Sequence, residues 1–169
     1  PYNEFEIPTP STIYGKSKLA GERFVQNLCT RHVIVRSSWV YGIGRDFVNT
    51  ILEAANNPSV TSMEVAENEF ASPTSATELA KVIEQLIDND CLGIYHAVCG
   101  GFCSRFEFAQ AILKAIHAKD KLTLKPISDS ETINYSVLDN MMLRLENFTQ
   151  PISWQQALKD YIRTTGGNN

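Results

Sequence analysis

Helices alternating with short, largely apolar strand segments predict an α/β fold for this chain of 169 residues. Three observations carry that reading. Val33-Ile34-Val35 is a continuous β-branched run ended by Arg36-Ser37-Ser38, the pattern of a strand buried on both faces of a parallel sheet. Gly93 to Val98 is a second short strand segment, lying between two helical stretches. Three helix starts are marked by a hydroxyl and a carboxyl or amide three positions apart, at Ser75/Glu78, Ser104/Glu107 and Ser153/Gln156, the spacing that lets each satisfy a free backbone N–H.

In chain order, Pro1 to Pro10 reads as a proline-rich loop. Ser11 or Thr12 caps a helix reaching about Thr30, with Leu19, Phe24, Val25 and Leu28 on its apolar side. After the strand at Val33, a helix from about Asp46 to Ala55 buries Phe47, Ile51 and Leu52. Ser75 opens a helix to about Asn89, Ser104 one to about His117, and Ser153 the last. Thr123-Leu124-Lys125 reads as a small edge strand, and Gly166 to Asn169 as a frayed tail. A doubly wound nucleotide-binding sheet opens with strand, Gly-rich turn and helix, whereas this chain opens on loop and helix. The expectation is therefore that the nucleotide-binding unit lies upstream of Pro1. Gly42-Ile43-Gly44 does not replace it, because Phe47 stands where a third glycine is required and no acidic residue closes a following strand.

Composition narrows the function. A hydrophobic content of 43% with 20% charged residues is that of a soluble globular domain. A net charge of −4 without a lysine-rich run argues against nucleic acid, and no apolar stretch approaches the roughly 18 residues of a membrane span. Cys99 and Cys103 are four apart, but no second pair completes a zinc site, so no metal ligands are assigned. Cys29, Cys91, Cys99 and Cys103 read as reduced thiols of a cytoplasmic protein. Cys103 precedes a helix, where a thiol pKa falls, yet it is given no role.

Tyr14-Gly15-Lys16-Ser17-Lys18 is the most informative stretch. Positions i and i+4 share a helix face, so Tyr14 and Lys18 lie one turn apart. A free tyrosine titrates at about 10, and a neighbouring ammonium pulls that toward neutrality. This is the acid–base pair a carbonyl reductase needs beside a nicotinamide ring. With six tyrosines in the chain the spacing also arises by chance, and its context decides.

Several blocks, in order across nearly the whole chain, resemble the dTDP-4-dehydrorhamnose reductases of the extended short-chain dehydrogenase/reductase superfamily. They are Pro10 to Glu22, Val35 to Gly42, Ser72-Pro73-Thr74 with Glu78-Leu79-Ala80, Gly93 to Ala97, Cys103 to Ala109, Tyr135 to Asn140, and Trp154 to Ala157. The Tyr14/Lys18 pair is shared by the superfamily, while Trp39 and the later blocks point to the rhamnose branch. The resemblance implies the C-terminal part of a Rossmann-type doubly wound sheet plus a small α/β substrate-binding lobe. Residues 1–169 would form a single folded unit, with 1–41 and 75–99 completing the sheet and 42–74 and 100–169 mainly forming the lobe.

The resemblance further implies NADPH or NADH as cofactor, with Tyr14 donating the proton and Lys18 lowering its pKa and binding the nicotinamide ribose. It implies a dTDP-sugar substrate contacted by Trp39, whose indole offers a face and an N–H. A homodimer bridged by Mg2+ belongs to the same expectation, although no residue here is assigned to that metal. Arg36 is left open between a phosphate contact and a structural role. Tyr41 and Gly42 are expected to shape the loop near the cofactor, and His96 to be a core histidine. Asn49, Glu67 and Glu69 fall in the substrate-side region, where solvent exposure explains them equally.

Three departures accompany the resemblance. The Gly-rich loop and the Ser or Thr of the catalytic set are expected upstream of Pro1. The family's Asp-Gln-x-Gly-x-Pro-Thr stands here as Asn68-Glu69-Phe70-Ala71-Ser72-Pro73-Thr74. An Arg-Pro expected just before Tyr135 is replaced by Ile133 and its neighbours, removing a guanidinium suited to a diphosphate. Two further readings stay open: a nucleotide-sugar epimerase or dehydratase, which would share Tyr14 and Lys18, and a non-catalytic reductase-like binding or regulatory module. On the enzyme reading, this chain by itself turns over nothing, because half a cofactor site cannot position a hydride.

Overall fold

The computed structural model describes residues 1–128 and 133–166. Its order is α1 (Ile13–Leu28), β1 (Val33–Arg36), β2 (Val40–Tyr41), α2 (Phe47–Asn56), β3 (Ser62–Ala66), β4 (Glu69–Ala71), β5 (Thr74–Ser75), α3 (Ala76–Asp88), β6 (Gly93–His96), β7 (Cys103–Ser104), α4 (Arg105–Ala115), β8 (Thr123–Ile127), β9 (Asn134–Tyr135), α5 (Met141–Leu145) and α6 (Trp154–Gly166). The strands form four small sheets, β1-β6, β2-β5, β3-β8 and β7-β4-β9. All pairings are parallel except β4 with β7.

The proline-rich opening is tied down. Tyr2 donates its N–H to the Val137 carbonyl at 2.8 Å and accepts from the Asp139 N–H at 2.8 Å. The buried Glu4 carboxylate accepts the backbone N–H groups of His96 at 3.0 Å and Met142 at 3.2 Å. Thr12 Oγ1 then caps α1 by accepting the Gly15 N–H at 3.0 Å. Glycine is required at position 15 because a Cβ there would lie 2.8 Å from Pro10 Cβ.

The apolar side of α1 is present but uncovered. None of its residues is buried, and Phe24 and Leu28 are 66% and 79% exposed. Leu19 is half-buried, while Phe24, Val25 and Leu28 are exposed. Arg36 secures the helix instead, donating from Nε to Glu22 Oε1 at 2.9 Å and from Nη2 to Glu22 Oε2 at 2.7 Å. That bidentate pair resolves the open question about Arg36 in favour of a structural role. It also accompanies a second difference from expectation, since β1 is half-buried along its length rather than buried on both faces. Val33 and Val35 pack against the cluster formed by Val82, Leu86, Tyr95, Ala97 and Leu143.

Two apolar clusters hold the rest together. One gathers Tyr41, Val48, Ile51, Phe108, Ile112 and Leu158 from β2, α2, α4 and α6. In α2 the fully buried residues are Val48, Ile51 and Ala55, with Phe47 and Leu52 half-buried against them. The other gathers Val82, Leu86, Tyr95, Ala97 and Leu143, so α5 packs on the β1-β6 sheet although it falls within the stretch expected for the lobe. Asn140 extends that sheet with its side chain, accepting the Val98 N–H at 3.0 Å and donating to the Val98 carbonyl at 2.7 Å.

Of the three reciprocal helix caps expected, only that of α4 closes, with Ser104 N–H on Glu107 Oε2 at 2.7 Å and Glu107 N–H on Ser104 Oγ at 3.1 Å. In α3, Ser75 Oγ accepts the Glu78 N–H, but the Glu78 carboxylate turns instead to Lys81 Nζ at 2.6 Å and the Ile152 N–H at 3.1 Å. In α6, Ser153 Oγ accepts the Gln156 N–H while the Gln156 amide donates to Asp160. The helix continues to Gly166, so that residue is not part of a frayed end; the last three residues lie outside those described.

Candidate active site

Tyr14 and Lys18 occupy the first turns of α1, as their spacing predicts. Tyr14 is 72% exposed, and Lys18 Nζ stands 5.6 Å from the centroid of its ring. Among the described residues neither side chain forms a hydrogen bond to protein. Both polar ends are therefore available to a ligand laid along this side of the helix. Pro10 against Gly15, the Thr12 cap and the Glu22–Arg36 pair fix the position of the helix that carries them.

Trp39 sits between β1 and β2 with φ of 41°, left-handed backbone that a bulky aromatic residue rarely adopts. Its carbonyl accepts the Thr74 N–H at 3.2 Å, which links it to the Ser72-Pro73-Thr74 block. Thr74 is fully buried and its Oγ1 accepts the Cys99 N–H. The indole packs on Phe108, centroids 6.4 Å apart and 25° between planes, and the Arg105 guanidinium lies 3.9 Å from its centroid. Trp39 therefore lies in the aromatic surroundings of Phe108, while the neighbour of Tyr14 is Lys18.

The remaining candidates are structural in their contacts. Tyr41 is buried, its phenol pushed above its ordinary range by desolvation, with its ring on Phe108 and Tyr161. Gly42 is clamped by Tyr161, whose hydroxyl donates to its carbonyl at 2.6 Å, and by Asp46, which accepts its N–H at 2.9 Å. Asn49 donates to the Gly42 and Gly44 carbonyls at 3.2 and 2.8 Å. A carboxylate already occupies the Gly42 N–H, which opposes a phosphate at this turn. Glu69 accepts from Arg105 Nε at 3.2 Å, and Glu67 is exposed.

His96 is buried as expected, with Nδ1 3.1 Å from the Asp139 carbonyl oxygen; burial lowers its pKa, opposed by Glu4. Cys103 departs from expectation. Its thiol is buried and pushed up to about 12 by desolvation, which outweighs the helix start. Arg105 and Asn140 fall inside the Cys103–Ala109 and Tyr135–Asn140 blocks and Glu4 in the opening loop, but only packing shows what they contact. Among the described residues no group of three or more His, Cys, Asp or Glu could hold a metal ion, and no helix is long and apolar enough to cross a membrane.

A tyrosine–lysine helix leading into a parallel strand pair, within an α/β chain, is the arrangement of a Rossmann-like protein of the short-chain dehydrogenase/reductase class. The family model described as the RmlD substrate binding domain matches residues 1–166. The chain belongs to that family. It is 34% identical over 170 residues to the spore coat polysaccharide biosynthesis protein SpsK of Bacillus subtilis, covering 96% of this chain and 58% of that protein. Its fold superposes with a TM-score of 0.90 on a dTDP-4-dehydrorhamnose reductase of Clostridium acetobutylicum, at 33% identity over 98% of this chain and 60% of that one. The corresponding reductase of Bacillus anthracis, solved in complex with NADP, gives a TM-score of 0.89 at 35% identity, over 96% of this chain and 59% of that one. The chain thus spans somewhat under two thirds of the length of these relatives.

Proposed function

We propose that this chain forms the catalytic-tyrosine and sugar-nucleotide part of a reductase converting dTDP-4-dehydro-L-rhamnose to dTDP-L-rhamnose at the expense of NADPH or NADH. The observation that carries this reading is the exposed Tyr14–Lys18 pair on a fixed helix, in a chain of this family. The pair fits a nicotinamide nucleotide because its phenol and ammonium are free of protein partners and can meet the hydroxyls of a ribose. When bound, that cofactor supplies the hydride. Tyr14 holds the proton that the developing alkoxide at C4 receives, and Lys18 favours the phenolate left behind. Trp39, held by the Thr74 N–H, offers its indole to the dTDP-sugar.

The uncovered apolar side of α1 and the half-buried β1 support a further unit of the sheet packing there. Residues 1–41 and 75–99 would complete the sheet beside it, with 42–74 and 100–169 mainly in the lobe. On this reading the chain alone has no reductase activity.

The first test is a titration with dTDP-L-rhamnose followed by tryptophan fluorescence, on the chain and on a Trp39→Phe variant. Saturable quenching that disappears in the variant supports the reading; absence of binding at millimolar ligand sinks it for the lobe. The chain is then joined to the Gly-rich nucleotide-binding unit of a family relative and assayed for NADPH consumption. Activity that falls roughly 10²- to 10⁴-fold in Tyr14→Phe supports the acid role, whereas undiminished activity refutes it.

A further inference from the structure

Arg105 is held among aromatic side chains beside Trp39. The first residue of α4, it lies 3.9 Å from the ring centroid of Trp39 and 4.9 Å from that of Phe47, so two aromatic rings fix the orientation of its planar head. Its Nε donates to Glu69 Oε2 at 3.2 Å, and this contact is monodentate. Among the described residues the two Nη nitrogens make no hydrogen bond, and the side chain is 25% exposed. A guanidinium held flat by aromatic faces and tethered at one nitrogen presents its other edge as a pre-oriented fork for two anionic oxygens.

The sheet brings this fork to the place where the sequence departs from its family. Glu69 pairs with Asn134 and Phe70 with Tyr135 in the β4-β9 ladder, and the Asn134 N–H donates to the Asn68 carbonyl at 2.9 Å. Asn134, the residue after Ile133 and next to where an arginine was expected, therefore lies beside Glu69, the residue to which Arg105 is anchored. Glu69 itself stands where an uncharged amide was expected. Glu69, Asn134 and Arg105 meet at one end of the three-stranded β7-β4-β9 sheet, with Arg105 against Trp39.

We propose that Arg105 is the diphosphate-binding residue of the sugar-nucleotide site, reaching from α4 the anion that an arginine near Ile133 would otherwise hold. The inference rests on the reading of Trp39 as the dTDP-sugar contact. Glu69 has two opposed effects in this arrangement. It positions the fork, and its charge competes with the incoming diphosphate. Trp39 and Phe47 give the fork an apolar base that excludes water from one side and strengthens its contact with the anion.

Calorimetric titration of the chain with dTDP, and with thymidine as the ligand lacking phosphate, tests this. Arg105→Gln is expected to weaken dTDP roughly tenfold or more while leaving thymidine binding unchanged. Glu69→Gln is expected to tighten dTDP by roughly threefold. The opposite signs separate anion recognition from general damage, and the Glu69→Gln arm stands even if the Arg105 variant fails to fold. An unchanged dTDP affinity in Arg105→Gln, or a weaker one in Glu69→Gln, overturns the assignment while leaving the reading of Trp39 intact. Failure of the unsubstituted chain to bind dTDP overturns both.

Discussion

Replacing Phe108 by alanine should be among the most damaging single changes in this chain. Phe108 is 1% exposed, and its ring meets those of Trp39 at 6.4 Å, Tyr41 at 5.6 Å, Phe47 at 5.9 Å and Trp154 at 5.7 Å. Those partners come from the β1–β2 turn, β2, α2 and α6. No single element can move in to fill the space, so relaxation is limited and the loss falls at the upper end of the Phe→Ala range, about 4–5 kcal/mol. Phe108→Leu keeps most of the volume and should lose only about 1–2 kcal/mol. Urea unfolding followed by circular dichroism reads both, with an unchanged m-value as the sign that the denatured state is the same. An alanine variant losing under about 2 kcal/mol, or one no worse than leucine, would refute the idea that this ring joins four elements.

Two further outcomes follow from close contacts. Gly→Ala in a helix ordinarily stabilises by about 1 kcal/mol, but Gly15→Ala should destabilise because its Cβ would meet Pro10 Cβ at 2.8 Å; a gain in urea midpoint would refute that account. His96 faces Glu4, Arg36 and the Asp139 carbonyl, and burial lowers its pKa from the ordinary value. The unfolded chain then binds more protons as pH falls below about 6.5. Stability conferred by neutral His96 is fully present above that value and declines as pH drops toward the folded pKa. Arg144 holds the Asp139 carboxyl low, so its own contribution is lost only in a more acid window. A His96→Gln variant should flatten the first decline and keep the second; identical pH profiles would show that His96 does not set the slope.

Much of the scaffold was legible in local sequence. The Thr12 start, the β1 and β6 segments and the helices after Asp46, Ser75, Ser104 and Ser153 depend on capping and periodicity, which act within a few residues. The strands β2, β3, β4, β5, β7 and β9 were not legible. They span two to five residues and exist because a distant partner supplies their hydrogen bonds, as Thr123–Ile127, whose start was read as an edge strand, does for Ser62–Ala66. Two of the three expected reciprocal caps did not close because other groups claimed the side chains: Glu78 meets Lys81 in its own helix and the distant Ile152 N–H, and Gln156 meets Asp160 one turn further along α6.

By itself the sequence determined the tyrosine–lysine spacing, the α/β class and the family, carried by local spacing and by short contiguous blocks whose order along the chain needs no folding to be read. Tertiary structure alone decided that Arg36 holds α1, that burial raises the Cys103 pKa, and that Arg105 lies over Trp39. Those outcomes depend on desolvation and on charges brought together from distant positions. Neither quantity exists until the chain has folded.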